Sequence, residues 1–117
     1  MNSEKLADLV VHGMREKKAE EITLLDLRDI DQAISDFFVI CHAQSGRQVD
    51  AIADSVLETV KKNTGENPLN TEGKQNAEWI LIDFVDVVVH VFQEKWRKHY
   101  ALEELWADAK VAEAKQI

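Results

Sequence analysis

The sequence predicts an α/β fold, a mixed five-stranded sheet flanked by helices. Three observations carry that expectation. Two long stretches place apolar residues at helical spacing, the first over 3–18 and the second from Ser45 to the Asn63-Thr64-Gly65 stop. Five short runs rich in β-branched and aromatic residues read as strands. The second helical stretch lies between the second and third strands and so demands a crossover, while the last two strands meet at a tight turn and pair antiparallel.

In chain order, Leu6, Leu9, Val10, Gly13 and Met14 form one face of the first helix. Ser3 is its N-cap, Lys17-Lys18 suit its C-terminal end, and His12 lies off the stripe, facing solvent. Residues 21–27 read as the first strand. From Arg28 to Asp36, Asp29, Asp31, Ser35 and Asp36 stand among single apolar residues, which reads as a loop or a single turn. Phe37 to Cys41 is apolar throughout, as in a central strand buried on both faces. Ser45 and Gln48 have the spacing of a capping box, and Val49, Ile52, Ala53, Val56 and Val60 form the stripe behind it. Pro68 precedes a short third strand, Leu69 to Glu72, and Gly73 to Asn76 is a polar loop. After Phe92 the pattern is helical again, with Trp96 and Tyr100 one turn apart, then a short segment holding Leu102, Leu105 and Trp106. Residues 1–106 read as one domain and 107–117 as a flexible tail rich in Ala, Lys and Glu.

The longest β-branched run, Trp79 to Phe92, is broken at its centre by Asp83 and Asp86. A hairpin turning at Phe84-Val85 would set Asp83 opposite Asp86 and Trp79 opposite His90. Side chains alternate along a strand. One face is then Ile80, Ile82, Val87, Val89 and Val91, a core face. The other is Trp79, Leu81, Asp83, Asp86, Val88, His90 and Phe92. An indole, an imidazole and two carboxylates among apolar side chains mark a surface for something other than core packing. Like charges directly opposite destabilise a sheet, so keeping both aspartates calls for a basic partner or full exposure at the tip. A Trp ringed by polar groups is the composition of an interface hot spot.

Composition narrows the function. The 45% hydrophobic and 31% charged shares suit a globular domain. Net charge of −8 argues against wide coverage of nucleic-acid phosphates and permits a basic protein as partner. Neither DNA nor a membrane is expected as a partner. A single cysteine, Cys41, inside an apolar strand fits a reducing compartment, and the N-terminus has neither a secretion signal nor a transit peptide, so the cytoplasm is expected. His12, His42, His90 and His99 are scattered without zinc-like spacing, and no glycine-rich phosphate loop occurs, so no metal or cofactor is expected. The alternative is a small Mg-dependent nucleotidyltransferase using Asp29, Asp31, Asp83 and Asp86.

The spaced elements Trp79-x-x-x-Asp83-x-x-Asp86-Val87-Val88-Val89-His90-x-Phe92, then Arg97, Tyr100, Leu102-Glu103 and Leu105-Trp106, resemble the signature of the Iojap-like ribosomal silencing factor family. Asp36 to Ile40, Arg47-Gln48-Val49, Ile52-Ala53-Asp54, Pro68-Leu69 and Glu72-Gly73 fit the same pattern in order. The resemblance implies a nucleotidyltransferase-like fold without its catalytic residues, and no enzymatic activity. It implies a protein that is a homodimer when free and binds the large ribosomal subunit at its L-fourteen protein. There it would sterically block joining to the small subunit and repress translation under nutrient limitation. Trp79 is the residue carried over first as a partner contact, with Asp83, Asp86, His90, Arg97 and Tyr100 beside it. Leu81 and Val88 join them as the apolar part of the same face. Two positions depart from the family pattern: Val85 stands where glycine is usual, and Gly46 where serine is usual. The exposed apolar part, Trp79, Leu81 and Val88, needs a cover when no ribosome is bound, so the free dimer is expected to bury this patch and compete with ribosome binding.

Overall fold

Helix α1 (Ser3–Glu16) is capped by Asn2, one residue before the expected Ser3. The Asn2 carboxamide oxygen accepts from the Lys5 N–H at 2.8 Å, while the Ser3 hydroxyl donates to Asp36 at 2.7 Å and ties the helix to the distant loop. In α2 (Gly46–Thr64) Ser45 caps as expected, accepting from the Gln48 N–H at 3.2 Å. Gln48 reaches back to the N–H of Gln44, so the box closes one residue early. Gly65, at φ 77°, ends the helix in the left-handed conformation that glycine adopts without penalty. His12 is half-buried and lies 3.2 Å from Glu16, one turn away.

The structure, a computed structural model, describes residues 2–113. Its strands are β1 (Glu20–Asp26), β2 (Phe37–Ala43), β3 (Asn70–Glu72), β4 (Trp79–Asp83), β5 (Val87–Gln93) and β6 (Lys110–Ala112), with short helices α3 (Glu94–Tyr100) and α4 (Leu102–Leu105) between the last two strands. They form one six-stranded sheet, β3-β4-β5-β2-β1-β6, in place of the five strands expected. The added strand comes from the segment read as tail: Lys110, Val111 and Ala112 pair antiparallel with Asp26, Leu25 and Leu24. Propensity alone did not reveal it, because a three-residue edge strand is specified by the strand it finds. The rest of the expected tail, 114–117, lies outside the described residues.

The crossover through α2 returns the chain so that β5 runs parallel to β2, with Val39 beside Val89 and Cys41 beside Val91. Every other pair is antiparallel. One sheet face carries Phe37, Val39, Cys41, Ile80, Ile82, Val87, Val89 and Val91, all buried under α1 and α2. A fully buried Val or Ile contributes about 1.5–3 kcal/mol, so this aliphatic face is the main stabilising element of the chain. The helices meet closely where Gly13 leaves room, since a Cβ there would stand 2.9 Å from the Val56 Cα. Cys41 is fully buried in this core, and desolvation pushes its thiol up to about 12, so it is an inert core residue.

The hairpin register differs from the expected one. Asp83 pairs with Val88 and Trp79 with Phe92, so residues 84–87 make the connection and Asp86 does not oppose Asp83. The shift is two residues, which leaves every paired side chain on its face and passes Asp86 into the connection. A two-residue turn would have demanded positive φ at both Phe84 and Val85. The wider connection confines it to Val85, at φ 75°.

Candidate functional site

The second sheet face is built differently. Leu25, Leu27, Ile40 and Phe92 are buried there, with Phe38, Trp79, Trp96, Leu102 and Trp106 packed around them and partly open. The short C-terminal helices and the 28–36 loop cover part of this face. The Trp79 end of the hairpin remains only half-covered.

Trp79 sits at the centre of an aromatic group. Its ring stacks on Phe92, with centroids 5.0 Å apart, and tilts against Tyr100 at 4.6 Å. Its indole Nε1–H donates to the Nδ1 of His90 at 3.1 Å. The register places Leu81 directly opposite His90, so this bond runs diagonally across the hairpin. His90 is 3% exposed, and desolvation pushes its imidazole down to about 3. Accepting at Nδ1 fixes the neutral tautomer with its proton on Nε2. That Nε2 has no hydrogen-bond partner among the described residues. Phe38 approaches the imidazole edge-on, at 4.7 Å between centroids, and Trp106 approaches Phe38 in turn at 5.7 Å. His90 is therefore a buried support behind Trp79, with no polar atom presented to a partner.

Leu81, Asp83 and Val88 are half-buried on this face, Tyr100 is exposed beside Trp79, and Asp86 is exposed in the connection between β4 and β5. One oxygen of Asp83 accepts from the Val85 N–H at 2.7 Å, which shapes the turn. Asp86 contributes its backbone carbonyl to the N–H groups of Asp36 and Phe37, leaving its carboxylate outward.

Arg97 does not join the open surface. It is 8% exposed, and all five of its N–H donors are committed internally. Two go to the Glu103 carboxylate, one to the Thr23 hydroxyl, one to the Glu21 carbonyl at 2.7 Å and one to the Nδ1 of His42 at 2.9 Å. The register of β1 shifts between Glu20 and Thr23, and Glu21 takes φ 45°; this bulge turns the carbonyl toward the guanidinium. Arg97 thus fastens α3 to β1, and its expected role as a partner contact is corrected on that ground. The sequence raises His42, 2% exposed, only as a candidate metal ligand and does not foretell its role as an acceptor for Arg97. The signal was its place in β2, two residues after Ile40 on the face shared with Phe92.

The carboxylates of the nucleotidyltransferase alternative are not gathered. Asp29 is paired with Lys110 at 2.7 Å and Asp83 holds the turn. Among the described residues no three His, Cys, Asp or Glu side chains are grouped to hold a metal ion. No helix among them is long and apolar enough to cross a membrane.

Comparison with known proteins places this geometry. The family model described as ribosomal silencing factor during starvation matches residues 1–117. A ribosomal silencing factor from Halalkalibacterium halodurans is 42% identical over 117 residues, covering 100% of this chain and 98% of the relative. The crystal structure of a Chromobacterium violaceum protein superposes with a TM-score of 0.86 at 29% identity, covering 99% of this chain and 95% of that one. A more distant mouse relative, 28% identical over 101 residues, bears the name mitochondrial assembly of ribosomal large subunit protein 1; this chain spans 44% of its length. A half-covered aromatic face on a mixed six-stranded sheet is therefore the candidate site of a chain that belongs to the ribosomal silencing factor family.

Proposed function

We propose that this chain represses translation by binding the large ribosomal subunit at its L-fourteen protein and standing where the small subunit would join. It acts in the cytoplasm by steric exclusion, without chemistry. The observation that carries the reading is the Trp79 face: an indole held by stacking and one hydrogen bond, left half-open beside Tyr100, on a face that runs through Leu81 to Asp83 and Val88 at the turn end of the hairpin. An aromatic anchor with carboxylates farther along the same face suits a basic protein surface. The silencing-factor names of the relatives, and the large-subunit name of the mouse relative, support the same partner. A contact of about 800 Å² per partner is enough for a specific complex.

The test is co-sedimentation of the full chain with purified large and small subunits. The wild type is expected to travel with large subunits alone and to reduce their joining to small ones. Trp79→Ala is expected to lose about 2 kcal/mol or more of binding. Equal sedimentation with both subunits, or with neither, refutes the reading. When free, the chain covers the same patch as a homodimer, so native mass spectrometry should show the dimer giving way as the ribosomal protein is added. A complex that retains the dimer contact rejects that competition.

A further inference from the structure

Val85 combines two features that its turn does not require. Its backbone stands at φ 75°, where a β-branched side chain is sterically opposed, and its side chain is 54% exposed. Two side chains hold it there: Asp83 accepts from its N–H at 2.7 Å, and the Ser35 hydroxyl donates to its carbonyl at 2.9 Å. Glycine would make the same turn freely. Neither the core nor the turn explains an isopropyl group at this point.

The Ser35 bond brings the 34–36 segment to the same end of the sheet as Val85, and Ile34 there is 97% exposed. On the other side Leu69, 74% exposed, donates its N–H to the Asp83 carbonyl at 2.8 Å. Six large apolar or aromatic side chains are exposed among the described residues, and these three share one end of the sheet. Asp83 and Asp86 lie two residues before and one after Val85, and neither carboxylate is in an ion pair among the described residues. Two copies docked ridge to ridge would bring these same carboxylates against each other, so the ridge lies outside the proposed dimer contact. A phosphate backbone would be repelled as well. A cationic protein surface meets the opposite charge.

We propose that Ile34, Val85 and Leu69 form a second contact ridge that seats an apolar side chain of a lysine- or arginine-bearing protein segment. The ridge continues from the Trp79 face through Asp83 and Val88, which the pairing of β4 with β5 brings side by side. It rests on the proposed binding to the large subunit and makes that contact bipartite: an aromatic anchor on the sheet face and an aliphatic one at the hairpin tip. The strained Val85 is retained because its side chain is needed outside the fold.

The experiment measures affinity of the full chain for purified large ribosomal subunits, with thermal unfolding recorded alongside. Val85→Gly alone should raise the unfolding midpoint and weaken binding. The pair Val85→Gly with Ile34→Ser should weaken binding about tenfold. Leu69→Ser, at a site with a single backbone bond to the turn, repeats the test and keeps it decisive should the pair lose its fold. Wild-type affinity in these variants overturns the ridge while leaving the Trp79 reading intact. A wild type that does not bind large subunits removes both. Self-association lost with subunit binding kept assigns the ridge to a second copy and overturns the proposal.

Discussion

Trp79 and His90 form one unit, because the hydrogen bond between them serves both. The indole gains a fixed orientation, and the imidazole, kept neutral by burial, gains a donor for its Nδ1. The folded chain binds no proton there until about pH 3, whereas an unfolded histidine takes one up near its ordinary value of 6.5. The unfolded state therefore binds more protons between these values, and stability rises with pH across that window. It is full above 6.5 and declines as pH falls toward 3. At about pH 5 this residue alone should cost about 2 kcal/mol relative to neutral pH. Urea unfolding of wild type and His90→Gln at both pH values checks it. The glutamine keeps an acceptor for the indole and should flatten the slope; parallel slopes would place the pH dependence elsewhere.

At the scale of elements, α3 and β4 are each held by one residue whose role is geometric. The Arg97 guanidinium joins α3 to the bulge in β1 and to Glu103 beyond the helix. Breaking a buried charge network typically costs about 3–5 kcal/mol. Glu103 is partly open to water, so Arg97→Met should sit at the low end, about 3 kcal/mol, read as a lower denaturation midpoint. Gly73 lies at φ 86°, and a Cβ there would fall 2.0 Å from the Trp79 carbonyl oxygen. No side chain can yield there, because the obstacle is backbone. Gly73→Ala should cost more than about 1 kcal/mol and move the start of β4. Its tryptophan emission should shift with the displaced Trp79; unchanged emission and stability would mean the loop adapts freely.

At the scale of the whole molecule, the sheet is divided between two unlike faces. One face of the sheet is sealed by α1 and α2, which makes the fold stable. The other is partly covered by the C-terminal helices, which leaves the Trp79 surface half-covered. Net charge of −8 adds a long-range attraction toward a basic surface. Asp86 is exposed and its carboxylate supports no turn, so reversing it perturbs the field more than the fold. Asp86→Lys should slow association with large subunits markedly at low salt and little at high salt, as screening removes the difference. A loss independent of salt would point to a local contact.

By itself the sequence determined the element types, the aliphatic core face and the Trp79 face. Periodicities of 3.6 and 2 are local properties that survive a two-residue error in register. The spaced motif from Trp79 to Trp106 likewise identified the family, since agreement at many positions needs no coordinates. Tertiary structure decided what local pattern cannot encode. It turned three tail residues into a sixth strand, because an edge strand is chosen by its neighbour. It widened the turn, because Phe84 and Val85 could not both take positive φ. It removed Arg97 from the surface and enlisted His42, because a guanidinium on α3 finds its acceptors on strands more than fifty residues away, beyond the reach of any local pattern.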